Sequence, residues 1–257
     1  MQLDLLVDPF DATWPQVRDL AVAAEERGYG GVWTWDHLSG VVHGQHHVLE
    51  GWTLLSALAA VTSRVMLGPL VLNQANRDAG VVAQMAATLQ EVSGGRLLLG
   101  LGAGTSPTGS YVAEQLALGR SPAHDPERRA GLAEYVAVIR QAWAGAVGGV
   151  DGFLRPDPPP PVIVAAFGPK LATIAGRLAD GINTLAALPD LEEVATAARA
   201  AAPDPDRFLV TVFAGMGPTW LDADSGERRR LAAVGTDRLI LVVPPGQDPD
   251  RLPDPGN

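Results

Sequence analysis

Cysteine is absent from the chain, which excludes a disulfide framework, a thiolate metal site and a cysteine nucleophile. Lysine is almost absent as well: Lys170 is the sole example, and every other basic side chain apart from histidine is arginine. Positive charge is in deficit, with 19 Lys and Arg against 29 Asp and Glu and a net charge of −10, which argues against nucleic acid as a main partner. No apolar run approaches the ~20 residues that span a bilayer. The opening MQLDLLVDPF has neither the basic region nor the apolar run of a secretory signal. These absences predict a cytoplasmic protein with no membrane partner.

Of the 257 residues 47% are hydrophobic, enough for a large core, and the length suits one α/β barrel as well as two smaller domains. Residues 63–104 read as a strand, an amphipathic helix and a second strand. The apolar runs at 65–72 and 97–101 are continuous, as parallel strands covered on both faces require. The helix between them carries Val81, Val82, Met85 and Leu89 on one stripe, and Ser93-Gly94-Gly95 stops it. Gly100, Gly102 and Gly104 end the block, but neither the GxGxxG spacing nor the later acidic residue of a dinucleotide site is present.

The alternation continues along the chain. Strands are predicted at 3–7, 31–35, 65–72, 97–101, 162–166, 181–184, 208–213 and 238–243. Besides the helix already described, helices are predicted at 14–27, 52–61, 126–144, 169–179, 191–201 and 227–233. The long helix at 126–144 has a Gly-rich exit leading to the proline run at 156–161, which reads as a stiff surface connection rather than a domain boundary. Strict alternation points to a (β/α)8 TIM-type barrel, a single domain over 1–257, whose function collects on the loops after the strands. The last covering helix is missing or shortened. From about 244 to 257 a polar tail follows, reading as solvated and frayed, and part of the barrel wall is left for a partner subunit or an unusual tail to cover.

Candidate chemistry lies at strand ends. Trp33-Thr34-Trp35-Asp36-His37 closes the second strand, where His37 can move a proton with Asp36 nearby to orient it or raise its basicity; the competing reading is a histidine that merely hydrogen-bonds a loop. His43, His46 and His47 follow without recognised metal-ligand spacing, so substrate contact or solvation is favoured over a metal. At Ala166-Phe167-Gly168-Pro169-Lys170 a helix begins with free backbone N–H groups and a lysine, a place for a phosphate or else a simple capped turn. Arg77 and Arg128 are further candidates for anionic contacts, set against plain solvent-facing arginines. A serine nucleophile has no GxSxG to carry it.

Taken in order, these pieces resemble the bacterial luciferase-like superfamily of flavin and deazaflavin oxidoreductases. The matching residues are Gly28-Tyr29 through Val32-Trp33 to Asp36-His37, then Arg64-Val65 with Leu67-Gly68 and Arg77. Ala87-Thr88-Leu89 and Ser93-Gly94-Gly95-Arg96 lead to Gly100, Gly102 and Gly104. Arg128 with Glu134-Tyr135, the Gly168-Pro169-Lys170 turn and Ala179-Asp180-Gly181 complete the set, which spans nearly the whole chain.

The resemblance implies a homodimeric TIM-type barrel that takes its cofactor at the C-terminal mouth. Within the superfamily the chain is most similar to the branch using the deazaflavin coenzyme F420, with FMN-dependent monooxygenation and a non-catalytic flavin-binding paralogue as alternatives. It further implies that His37 sits beside the reacting carbon and that a bulge at Leu70, Val71 and Leu72, where members often hold a non-proline cis peptide, backs the ring. The phosphate tail would lie on Phe167, Gly168, Pro169 and Lys170, with Gly102, Ala103, Gly104 and Arg128 as further cofactor contacts. His43, His46, His47, Arg77 and Thr105 are left for a small-molecule substrate. Two departures stand out: Thr105-Ser106 replaces the glutamate of the branch's sugar-phosphate dehydrogenases, which disfavours that substrate class, and the chain is short for the family.

Overall fold

The computed structural model describes residues 1–146 and 151–256. The glycines of the predicted Gly-rich exit at 148 and 149, and the last tail residue, 257, lie outside the described residues. The first half runs β1 (Gln2–Leu6), α1 (Trp14–Glu26), β2 (Gly31–Thr34), α2 (Gly51–Val61), β3 (Met66–Pro69), β4 (Leu72–Asn73), α3 (Ala79–Val92) and β5 (Leu99–Gly102). There follow α4 (Val112–Ala117), α5 (Asp125–Trp143), β6 (Val162–Ala165), α6 (Pro169–Leu178), β7 (Gly181–Leu185) and α7 (Leu191–Ala201). The chain then forms β8 (Leu209–Gly215), α8 (Pro218–Leu221), α9 (Gly226–Ala233) and β9 (Arg238–Val242).

All pairings between strands are parallel, in the order β3-β2-β1-β9-β8-β7-β6-β5-β4. The ring closes where Leu67 N donates to Arg96 O and Leu98 N to Leu67 O, both at 2.8 Å. The nine strands thus make the expected eight-position barrel, because β3 and β4 are two halves of one predicted strand, interrupted at a cis Leu70–Val71 peptide bond. The run at 65–72 is continuously apolar, so nothing in its hydrophobic pattern marked the break.

Strand geometry explains the continuous apolar runs. Along β1, Leu3 and Leu5 point outward with Val7 into the large layer shared with the helices, while Leu6 points inward to Trp33, Leu70, Leu98, Ile163 and Ile240. Asp4 is the inward exception and is fully buried. Arg238 grips its carboxylate at 2.6 and 2.8 Å, and Trp33 Nε1 donates to it at 2.8 Å. Burial raises the Asp4 carboxyl, against the pull of Arg238 and Trp33. The contacts nevertheless give every carboxylate oxygen a donor, as a buried acid requires.

The glycines before the mouth have a packing reason. A Cβ on Gly100 would lie 2.1 Å from Pro69 O, and one on Gly102 2.7 Å from a methyl of Val71. Both therefore make room for the bend between β3 and β4. Arg96 is buried and donates to the carbonyls of Ser93, Val65, Ala59 and Thr62, welding the end of α3 to α2 and to the start of β3.

The tail does not fray as expected. No α-helix follows β9 among the described residues; instead a short turn at Pro249–Arg251 sits on α1, and Leu252 is buried. Arg27 donates to Pro249 O and Asp250 O, and Tyr29 Oη donates to Pro253 O at 2.9 Å. Truncating Leu252 to Ala should cost about 2 kcal/mol in urea denaturation, as for other buried leucines; an unchanged midpoint would mean that the tail contributes no packing.

Glu25, at the end of α1, accepts from the backbone N–H groups of Ser63, Arg64 and Val65. Partial burial works against its charge, but these hydrogen bonds prevail and hold the carboxyl down from 4.5 to about 2. A depressed folded-state value stabilises the protein above the unfolded value of 4.5, and the contribution is lost as pH falls through about 2. Glu25→Gln should therefore lower stability at neutral pH, by about 1 kcal/mol after solvent screening, and flatten the decline below pH 4.5. Urea titrations at a series of pH values measure both effects.

Candidate active site

The strands stop at a common mouth, which holds a cavity of about 770 Å3. Leu70 and Val71 form an apolar wall, and Gly102, Ala103, Gly104 and Thr105 carry the backbone past it. Arg128 and the turn Phe167-Gly168-Pro169-Lys170 line another part. Asp36 and His37 enter from the end of β2. One cavity thus collects every residue assigned to the cofactor from sequence except Leu72, which is buried in the layer between strands and helices.

Inside the mouth His37 is mostly covered, its side chain 16% exposed. Its Nδ1 lies 3.3 Å from Glu114 Oε2 on α4, so Nε2 is the ring nitrogen left for exchange with a ligand. Glu114 Oε1 accepts from Leu38 N and Ser39 N, both at 3.0 Å. Burial alone would raise the Glu114 carboxyl; the hydrogen bond and charge of His37, with the two backbone donors, keep it below the usual carboxylate range. An ionised carboxylate in that place orients the imidazole.

Asp36 does not orient His37, contrary to the sequence expectation. Its carboxylate sits 2.8 Å from the Arg77 guanidinium and accepts from Asn73 N at 2.8 Å. Arg77 is held a second time by Glu50. Its charge is therefore neutralised on two sides, and it lies outside the cavity lining, so the expected substrate contact is corrected to a clamp between the β2 and β4 loops. Burial opposes the Arg77 charge, but the two carboxylates hold its guanidinium above the ordinary value.

The three loop histidines separate. His46 and His47 both address Asp11, at 2.9 and 3.2 Å, with side chains 92% and 57% exposed. They fasten a surface loop and line no part of the mouth. His43 instead packs on Phe10 at 4.4 Å between centroids and edge-on to His37 at 5.0 Å. Burial and the neighbouring His37 lower the His43 imidazole against the pull of Asp8 and Glu114. Among the described residues no cluster of His, Asp or Glu has metal-binding geometry.

The cation end of the cavity differs from the Arg77 clamp. Gly168 caps α6 without a side-chain bond, Pro169 occupies the first turn, and Lys170 makes no ion pair among the described residues. Arg128 donates to Gly104 O and to Asp125, while its buried Nε has no partner among the described residues. Free N–H groups at a helix start, a lysine and an unmet guanidinium donor suit a phosphate.

Glu114, Tyr111, Trp35, Phe213 and Asn183 are cavity residues that the sequence reading missed. Glu114 and Tyr111 come from a stretch whose one helix, α4, has only six residues, too short to show periodicity. A polar, aromatic-bearing segment between a strand and a long helix was the available signal.

A family model for luciferase-like monooxygenases matches residues 5–249. An F420-dependent glucose-6-phosphate dehydrogenase from Nakamurella multipartita is 37% identical over 180 residues, covering 66% of this chain and 51% of that protein. An F420-dependent hydroxymycolic acid dehydrogenase from Mycobacterium tuberculosis is 34% identical over 237 residues, covering 85% of this chain and 64% of that protein. The chain spans about half the length of the first of these relatives. Among solved structures, an F420-dependent secondary alcohol dehydrogenase in complex with an F420-acetone adduct superposes with a TM-score of 0.78 at 20% identity, covering 94% of this chain and 93% of the other. That likeness shows the barrel fold. With the family model matched over most of its length, the chain belongs to the luciferase-like monooxygenase family.

Proposed function

We propose that the protein is an F420-dependent oxidoreductase that transfers hydride between the deazaflavin and a small organic substrate. One observation carries the reading: a single mouth joins an apolar wall at Leu70 and Val71, the His37–Glu114 pair, and a cation end at Lys170 and Arg128 with donors still unmet. The residues fit the cofactor chemically, since a flat apolar ring needs such a wall and a phosphate tail such donors. The relatives named as F420-dependent support the choice over FMN.

When bound, the deazaflavin supplies a carbon that gives or accepts hydride. The chain's own groups do the rest. Leu70 and Val71 would support the ring, with Gly102, Ala103 and Gly104 as further contacts. Lys170, Arg128 and the N–H groups at Gly168 would hold the tail. His37 gives or takes the substrate proton at Nε2, with Glu114 fixing the ring through Nδ1. The surrounding walls exclude water and hold the reactants in register. We read residues 1–257 as one barrel domain working in the cytoplasm; among the described residues no helix is long and apolar enough to cross a membrane.

A homodimer belongs to the same reading. The outer face of α2 and α3 carries an apolar groove of about 740 Å3 lined by Trp52, Val81, Met85, Leu89 and Val92, with Val81 and Val92 55% and 57% exposed. A second copy of the chain would cover this face. Light scattering should report a dimer that Val81→Asp with Val92→Asp converts to monomer; a monomeric parent protein overturns this part of the proposal.

Titrating the purified protein with F420 and with FMN tests the cofactor. Tight binding of F420 alone is expected, and equal, weak binding of both would sink the assignment. In the same assay His37→Ala should retain F420 affinity while turnover falls by ~10²-fold or more, the usual loss on removing a general acid or base.

A further inference from the structure

His37 lines the mouth, but a second imidazole reaches it from outside the lining. His43, on the short turn Val41–His43 after β2, is exposed and is not among the cavity residues. Its ring nonetheless meets His37 edge-on, at 5.0 Å between centroids. Phe10 packs against both, at 5.6 Å from His37 and 4.4 Å from His43. Tyr111 also packs against both, at 4.5 and 5.6 Å. The rings form one group through the wall, with His37 on the mouth side and His43 on the solvent side.

Two acids flank the pair. Glu114 on α4 lies 3.3 Å from His37 Nδ1. Asp8, after β1, accepts from Phe10 N at 3.0 Å. Burial raises the Asp8 carboxyl, while the Phe10 N–H and the charges of His43 and His37 pull it down. Burial and His37 lower the His43 imidazole against Asp8 and Glu114, so a second proton on the pair is resisted. Burial and Glu114 raise the Tyr111 phenol, which stays uncharged at neutral pH. Neighbouring charges turn elsewhere: His46 and His47 address Asp11, and Asp36 faces Arg77, whose guanidinium meets Asp36 Oδ1 as an ion pair without a hydrogen bond.

A proton gained by His37 must leave before the next cycle. Ligands in the mouth exclude water from the Nε2 side. On the covered side Glu114 is buried, with its oxygens taken by His37 and by the N–H groups of Leu38 and Ser39. His43 both touches His37 and is exposed.

We propose that His43 is the relay through which His37 trades its proton with solvent. A ring N–H bond of protonated His37 breaks and leaves its electron pair on that nitrogen, while the lone pair of neutral His43 forms the new N–H bond. His43 then passes a proton to water or buffer, and the reverse sequence recharges His37. The relay rests on the proposed function in giving His37 the substrate proton.

The rate at which the His37 ring N–H exchanges with water, read by NMR saturation transfer with and without F420, tests the relay. His43→Phe keeps a ring against Phe10 and Tyr111 but removes both nitrogens. It should slow the exchange ~10-fold or more, since general-base help to a proton transfer is worth at least that much. The slowing should grow when F420 fills the mouth, and added imidazole should restore the rate. Asp8→Asn, which removes the anion beside His43, should slow exchange roughly threefold. Equal exchange in the parent and His43→Phe, or slowing that imidazole does not restore, overturns the relay. If circular dichroism shows His43→Phe to be unfolded, Asp8→Asn takes its place, and equal exchange there overturns the relay. Slowing in the free protein without any F420 binding defeats the cofactor assignment alone. F420 binding with equal exchange defeats the relay alone.

Discussion

The close approach of the Pro69–Val71 bend to Gly100 and Gly102 is the constraint on which the barrel mouth depends. Side chains at either glycine would strike a carbonyl or a methyl of the bend. With the bend seated, the segment after it becomes the reference for three neighbours. Asn73 N donates to Asp36 after β2, Gln74 N to Gly102 O on β5, and the Gln74 side chain to Ala103 O and Arg128 O. The wall, the histidine loop and the cation end are thereby fixed against one another. Such mutual fixing is what positions reacting groups within fractions of an ångström.

Electrostatics divides the arginines by task. In a chain with a net charge of −10, acids are abundant and most buried or half-buried guanidiniums are paired. Arg238 on Asp4 and Arg77 on Asp36 and Glu50 hold the barrel together. Arg96 achieves the same end by donating to four carbonyls and to the Thr62 hydroxyl. The Nε atoms of Arg27, Arg128 and Arg228 have no partner among the described residues, and of these three arginines only Arg128 lines the mouth, beside Lys170. At the other end of the mouth the rings of Phe10, His43 and Tyr111 surround His37.

Much of the fold was legible because its signals are local. Continuous apolar runs at β5 and β6 and the glycine stops follow from one-dimensional patterns of burial and backbone freedom. The same holds for the strand-end location of His37 and the Pro169-Lys170 helix start. The stripe read on α3 held only in part: Val82 and Leu89 are buried, but Val81 is exposed on the outer face. The partnerships were not legible. Glu114 reaches His37 from 77 residues away, through a helix of six residues, and Asp36 was nearer in sequence yet turned to Arg77. His43, His46 and His47 looked equivalent until the loop folded two of them onto Asp11 and one onto Phe10.

The sequence by itself determined the alternating α/β order, the placement of the mouth at strand ends and the residue types available there, since each depends on periodicity and local backbone preference. Tertiary structure decided the break between β3 and β4, the docking of the tail on α1, the clamp of Arg77 between Asp36 and Glu50 and the Glu114 partner of His37. Those outcomes rest on which groups meet across the barrel once water is excluded. Contacts between residues distant in the chain leave no trace in the spacing of either one.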